Sequence, residues 1–454
     1  MVTSIRRSPD AREALPLPQQ LEQRDPERLR AYRENLDFYR GAQWKEPQRR
    51  RERRLTFNYA KTIIEKTAAY VIGGMNSVVD PANSDTQEDA RRAEQALREL
   101  SDANNLEQLD FDNEVDCSIL GDAACKLVWD AGEKRVCVSA PDVQGLFVWW
   151  VGDDVSKVWR VASRYLLTVE EAQMLYPEFR PAERRRLAQA SRRREHTLVE
   201  VWTDSEFQVW LDNELLEERR NPYGFIPFVV YPNLREPKQF WGLSDLTPIM
   251  EPVRELNRAM SQLSMILELS GNPVAVLENV TDSQDIAVQP GAVWELPERA
   301  RAYLLDLLQG GGINLHVDYI NLVFRTLHDL AEAPRTAFGE NRQSLSGVAL
   351  QMELDPLLKK VQRKRLIRAA AFRRRNELAL RILEQQTGEQ FAPYRSRIVW
   401  GPLLPQDRSR QVQDETRLVA AGIHSRRTAA GELGVADPEL EWQRWLEEQA
   451  SSGA

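Results

Sequence analysis

The sequence predicts a mostly helical α+β protein, on three observations. Apolar residues recur at helical spacing in long segments, most clearly at Leu246, Ile249, Val253, Leu256, Met260, Leu263 and Leu267. Short alternating runs such as AACKLVW (123–129), KRVCVS (134–139) and EFQVWLDN (206–213) are bounded by turn residues, as antiparallel strands are. The strand runs cluster in the first half and are flanked by helices, which separates the classes instead of alternating them. The composition, 42% hydrophobic and 29% charged, fits a folded, soluble chain. Mean hydropathy is −0.52. No apolar run approaches the roughly 20 residues that span a bilayer, so no membrane partner is expected. No apolar core follows Arg6 and Arg7, so the opening residues do not read as a secretory signal.

The elements follow in order. Residues 1–27 are polar and carry Pro9, Pro16, Pro18 and Pro26, which predicts a mobile N-terminal arm. Leu29, Tyr32, Leu36 and Tyr39 mark a helix that Gly41 ends. A basic run follows, Lys45, Arg49, Arg50, Arg51, Arg53 and Arg54, which is either a solvated charge run or a phosphate contact. Ala60, Ile63, Ile64, Thr67, Ala68 and Val71 form one stripe of a helix closed by Gly73-Gly74. Two further helices are expected over 86–109 and 106–119. Strands are expected over 123–129, 134–139, 145–151 and 157–165, a helix over 168–195, and strands again over 196–232.

A helix over 244–270 has Pro248 near its start, Pro252 as a kink or delay, and Gly271 and Pro273 as its stop. PVAVLEN and GAVWELP carry strand signals, and Gly310-Gly311-Gly312 breaks the chain. A helix over 313–333 ends at Pro334. After a polar loop, Ser346 is placed to cap a helix reaching about Gln386, roughly 60 Å long, with a kink expected at Pro356. A strand over 391–400 and two or three small helices over 404–448 complete the chain.

Most catalytic chemistry is missing from the motifs. There is no phosphate-loop, HExxH, G-x-S-x-G or G-x-G-x-x-G pattern. His316 and His328 lie more than three helical turns apart, too far to share a metal. Cys117, Cys125 and Cys137 show no CxxC spacing and read as buried small side chains in a reducing compartment. No cofactor or metal is expected. Lys and Arg total 61 against 69 Asp and Glu, a net charge of −8 that disfavours tight DNA binding but permits sliding contact. A helical structural or scaffolding protein, or a metal-dependent DNA-processing enzyme using unrecognised carboxylates, is compatible with these features alone.

Several local sequences resemble bacteriophage portal proteins of the SPP1 type, over roughly residues 30–445. They are Trp241-Gly242-Leu243-Ser244-Asp245-Leu246 leading into EPVRELNRAMSQLSMILELSGNP, and PGAVWELP (290–297). With them come Pro334 through Phe338-Gly339, Leu345 through Leu350, and Asp355-Pro356-Leu357. FNYAKTIIEKTAAYVIGG (57–74) and AAGIHSRRTAAGELGVAD (420–437) fit the same pattern.

The resemblance implies a portal architecture of wing, stem, clip and crown assembled as a closed ring of twelve. Residues 28–240 would be the wing, 241–271 the first stem helix and 272–312 the clip. Residues 313–334 would be the second stem helix, 335–345 the tunnel loop, 346–399 a long kinked helix with a return strand, and 400–454 the crown. The implied function is a head–tail connector at one capsid vertex, through which double-stranded DNA is packaged and later leaves. Implied partners are further copies of the chain, the terminase large subunit, a head-completion or adaptor protein, and capsid and scaffolding protein. The implied location is the virion, with the host cytoplasm during assembly.

The tunnel-loop residues are then Arg335, Thr336, Ala337, Phe338, Gly339, Glu340, Asn341, Arg342 and Gln343. Arg335 and Arg342 either touch phosphate or pair with neighbouring subunits. Val274, Val276, Val293, Trp294 and Glu295 are the expected clip contacts to subunits, terminase and adaptor. The run 357–375 holds nine basic residues and no acid. Around a helix they spread over more than one face, which favours inter-subunit ion pairs or wing surface over a DNA stripe.

Overall fold

The computed structural model of the chain describes residues 16–48, 52–81, 87–176, 195–271, 274–279, 299–305, 312–339, 347–392, 394–403, 408–435 and 438–452. The chain divides into two compact units, Met1–Ile72 with Ser77–Val399, and Gly73–Asn76 with Trp400–Ala454.

In the first unit, α1 (Leu17–Glu22) has Pro18 in its first turn and α2 (Pro26–Tyr39) begins at Pro26, positions where a proline leaves no helical amide unpaired. The arm read over 1–27 is therefore folded from Pro16 onward. The reason is Leu21, which is fully buried against Phe147, Ala162, Val199 and Val201. Helix α3 (Tyr59–Ile72) buries Ala60, Ile63, Ile64, Thr67, Ala68 and Val71, the stripe expected from its spacing. α4 (Gln87–Asn104) and α5 (Leu106–Leu120) are separate helices because Asn105 turns left-handed, at φ 47°, between them. Strand β1 (Met75–Val79) falls between α3 and α4.

The strands from Asp122 to Pro232 build two sheets in this unit. β2 (Asp122–Asp130) lies between β3 (Arg135–Ser139) and β9 (Phe228–Pro232) in a three-stranded antiparallel sheet. β4 (Leu146–Val151), β5 (Asp154–Thr168), β6 (Glu195–Trp202), β7 (Glu206–Leu211) and β8 (Glu214–Arg220) form a five-stranded meander in chain order. Helix α6 (Val169–Leu175) starts on a capping box, in which Thr168 accepts from the Glu171 amide and Glu171 accepts from Thr168. The rest of the helix expected over 168–195 lies outside the described residues from 177 to 194.

Helix α7 (Met250–Gly271) starts later than the periodicity implied. Pro248 precedes it, and Pro252 falls in its first turn, where a missing amide costs nothing. β10 (Val274–Glu278) pairs antiparallel with β11 (Arg301–Leu305), a strand not foreseen; GAVWELP itself is outside the described residues. α8 (Gly312–Leu330) packs on α7. A 3-10 turn at Arg335–Phe338 precedes α9 (Gly347–Thr387), which continues through Pro356. Ser346, the expected cap, lies outside the described residues. β12 (Ser396–Trp400) pairs with β1.

The second unit carries α10 (Arg408–Ala420), α11 (Arg426–Glu432) and α12 (Pro438–Ser452), the last running four residues past the helical segment expected over 404–448. Ser425 caps α11 by accepting from the Thr428 amide. Trp442 and Trp445 stack at 4.8 Å between centroids, with Arg427 and Arg426 over their rings.

Candidate functional site

Residues 241–246 join α5 to the start of α7. Arg28 stacks on the Trp241 ring at 3.9 Å. The Gly242 amide donates to Asp122 Oδ1 at 2.8 Å. The Ser244 hydroxyl reaches the Ile119 carbonyl at 2.5 Å, and the Asp245 amide donates to the Ser118 carbonyl at 3.0 Å. Those carbonyls belong to the last turn of α5, which has no intrahelical donors left for them. The motif therefore caps one helix and delivers a carboxylate into the interior.

That carboxylate meets α9. Lys364 Nζ lies 2.5 Å from Asp245 Oδ2, and Lys360 Nζ lies 3.3 Å from Oδ1. Lys364 also donates to Ser118 Oγ at 2.8 Å and approaches Glu114 at 3.4 Å. Arg368 grips Glu114 with two bonds, of 2.7 and 2.9 Å. Its remaining donors reach the Pro232 and Asn233 carbonyls and Asn233 Oδ1. Further along α9, Arg375 pairs bidentately with buried Asp110. Arg365 donates to the Val71 and Tyr70 carbonyls and so caps the end of α3.

Five of the nine basic residues in 357–375 are thus buried inside one chain. This corrects the expectation of inter-subunit pairs or wing surface for Lys360, Lys364, Arg365, Arg368 and Arg375. Burial pushes the Asp245 carboxyl up, but Lys360 and Lys364 outweigh it and hold it well below the usual carboxylate range. Burial lowers Lys360, which Asp245 partly restores.

Asp122 behaves oppositely. Burial pushes its carboxyl up to about 6, although the Tyr32 hydroxyl, the Gly242 amide, Arg28 and Arg368 pull the other way. The folded state therefore holds this proton more tightly than the unfolded chain. Its stabilising contribution is complete below about pH 4 and is lost as pH rises through about 6. Asp122→Asn is expected to gain on the wild type by up to about 3 kcal/mol between pH 4 and 7. Urea midpoints of both proteins across that range check it; a pH-independent difference between them contradicts it.

Helices α7 and α8 carry the expected channel and partner segments. Tyr319 donates to Glu255 at 2.8 Å across the pair, and Arg258 bonds Glu255 at 2.7 Å. A cavity of about 870 Å³ opens between residues 43–46 and 52–54 and the two helices, with Trp44, Met265 and Leu322 in its lining. The basic run meets acids of α7 here: Lys45 pairs with Glu251 and Arg53 with Glu268, both at 2.9 Å and both exposed. Arg54 instead covers Trp44 and pairs with Glu52. Arg49, Arg50 and Arg51 lie outside the described residues.

Of the residues expected in a tunnel loop, Arg335–Gly339 are described. They dock on α8 through aromatic contacts: Arg335 lies 4.7 Å over Phe324, and Phe338 meets His328 edge-on at 5.2 Å. His328 packs on Phe324 and shares a 2.7 Å hydrogen bond with the Ala333 carbonyl. Tyr59 of α3 continues the row against Phe324. Glu340, Asn341, Arg342 and Gln343 lie outside the described residues, as do Val293, Trp294 and Glu295. Val274 and Val276 sit on β10.

The buried charges of Glu114, Asp245, Lys364 and Arg368 were missed from sequence. A signal existed: Lys360, Lys364 and Arg368 recur every four residues, interleaved with buried Leu357, Val361 and Phe372.

Among the described residues no group of three or more His, Cys, Asp or Glu is placed to hold a metal ion. Nor is any described helix long and apolar enough to cross a membrane. The described residues form a mostly helical α+β fold, with paired helices and a long helix riveted by buried charges. The family model "Phage portal protein, SPP1 Gp6-like" matches residues 19–453, and the chain belongs to that family. As a member of a family of structural portal proteins, it is not an enzyme. It is also similar to the portal protein of Mycobacterium phage D29, 25% identical over 316 residues. That alignment covers 63% of this chain and 64% of the relative, so the chain spans just under two thirds of the relative it matches.

Proposed function

We propose that this chain is the subunit of a closed portal ring that forms the DNA channel at one capsid vertex. The ring docks the terminase large subunit during packaging, joins a head-completion or adaptor protein, contacts capsid and scaffolding protein, and serves as the exit for double-stranded DNA. The observation that carries this is the family match across residues 19–453. Exposed apolar side chains support it: Leu315 is 73% exposed, Met352 71% and Leu366 74%. Apolar groups displayed on helices of a lone subunit are covered when a ring closes.

In this proposal 28–240 is the wing, 241–271 and 313–334 the stem, 272–312 the clip and 400–454 the crown. The 3-10 turn at Arg335–Phe338 roots the tunnel loop 335–345. Mass photometry with negative-stain imaging tests the ring. Twelve copies weigh about 628 kDa, and a particle of that mass with an axial hole is the expected result. A protein that stays monomeric alone and with scaffolding and capsid protein would overturn it.

Val274, Val276, Val293, Trp294 and Glu295 form the proposed clip contacts, with strand edges shared between subunits. Trp294→Asp is expected to abolish ring formation or terminase docking, read by native mass and pull-down. Normal rings that bind terminase would remove Trp294 from this role.

A further inference from the structure

One face of the five-stranded sheet interleaves arginines with aromatic rings. The β4–β5 register sets Trp149 opposite Arg160 and Phe147 opposite Ala162. Alternation then puts Arg160, Ala162 and Arg164 on the same face. Leu21 covers the centre of that face, and the chain running from α1 into α2 brings Arg24 and Arg28 to its margin. Two rings each receive two guanidinium groups. Arg24 and Arg160 lie 4.2 and 5.6 Å from the Trp149 centroid; Arg28 and Arg164 lie 5.7 and 5.2 Å from that of Phe147. Arg160 also covers Trp159 at 4.6 Å.

The cluster is short of negative charge. Asp25 lies 3.2 Å from Arg28 and 3.8 Å from Arg24. Among the described residues, Arg160 and Arg164 make no ion pair; Glu206 and Glu22 act on them only from farther away. Among the described residues, the buried Nε atoms of Arg24, Arg28 and Arg160 have no hydrogen-bond partner. Like charges packed this closely repel one another. Burial lowers Arg24, which Asp25 partly restores, and it lowers Arg160 and Arg164, in keeping with two cations that lack a close counter-charge among the described residues.

We propose that this arginine–aromatic cluster is a docking site for an acidic peptide segment of a partner protein, whose carboxylates complete the missing ion pairs. A guanidinium stacked on a ring keeps its in-plane N–H groups for bidentate carboxylate binding. The groups are half-buried, so a flexible Asp or Glu side chain reaches them where the phosphates of a rigid duplex do not. Trp159, 43% exposed beside Arg160, adds apolar contact for the same segment.

The test uses the full chain and a fluorescein-labelled peptide of about ten residues alternating Glu and Ala. Fluorescence anisotropy at low salt is expected to show saturable binding that added salt weakens. Arg160→Gln/Arg164→Gln is expected to weaken it at least about tenfold with the thermal midpoint unchanged. Should that variant melt lower, Arg160→Lys/Arg164→Lys is read instead. It keeps the charge but loses the planar fork, and a partial loss of affinity supports the site. No binding, equal binding by wild type and variants, or variants that lose duplex DNA binding but not peptide binding, would each overturn the proposal.

Discussion

Glu114→Ala is expected to cost the fold about 3–5 kcal/mol, the range found when one partner of a buried ion pair is removed. Glu114 is almost fully buried on α5 and receives both bonds of the Arg368 fork, 2.7 and 2.9 Å long. Truncation leaves Arg368 buried with carbonyls and Asn233, and leaves Lys364 with Asp245 and Ser118. Neither cation can reach water without moving α9. The measurement is the urea midpoint by tryptophan fluorescence, together with soluble yield. Glu114→Leu/Arg368→Met, which removes both charges, is expected to recover part of the loss, because a buried pair stabilises little relative to apolar packing. A loss under about 1 kcal/mol for Glu114→Ala would mean that water solvates the site.

Gly242→Ala is expected to destabilise by about 3 kcal/mol, at the upper end of overpacking. An added Cβ would lie 2.5 Å from the Gly121 carbonyl oxygen, 2.6 Å from Pro232 Cβ and 2.9 Å from the Leu234 carbonyl oxygen. Two of those atoms are backbone, so no rotamer change relieves the clash. The strain would also pull on the Gly242 amide that bonds Asp122, and on the turn that holds Asp245. Gly224 provides the comparison: it has positive φ but open space around it, and Gly224→Ala should cost only about 1 kcal/mol of backbone strain. Equal thermal midpoints for the two variants would show that the chain at 242 relaxes freely.

Both predictions concern features that local pattern does not expose. Asp245 looks like a helix-start residue in sequence, and Glu114 like one more acid on an amphipathic helix. They become a site only because α9 passes both, bringing together positions separated by more than a hundred residues. The 3-10 turn at Arg335–Phe338 is similar. Its residues read as a polar loop, but Phe324 and His328 turn it into an aromatic contact. Leu21 reads as part of an arm because the prolines around it suggest extended chain. Only the open sheet face at Phe147 and Ala162 gives it a place to be buried.

The sequence alone determined most of the helices and most strands, since period and alternation record which side of each element is apolar. It also determined the family, since the order of short motifs survives without any knowledge of contacts. Tertiary structure decided the fate of the charges. The same lysine or arginine is a surface group at Lys359 and an interior one at Lys364, although both lie in one basic run. Lys364 and Arg368 enter the interior where carboxylates wait at hydrogen-bond distance. That meeting is set by packing between distant segments, which no local window of sequence contains.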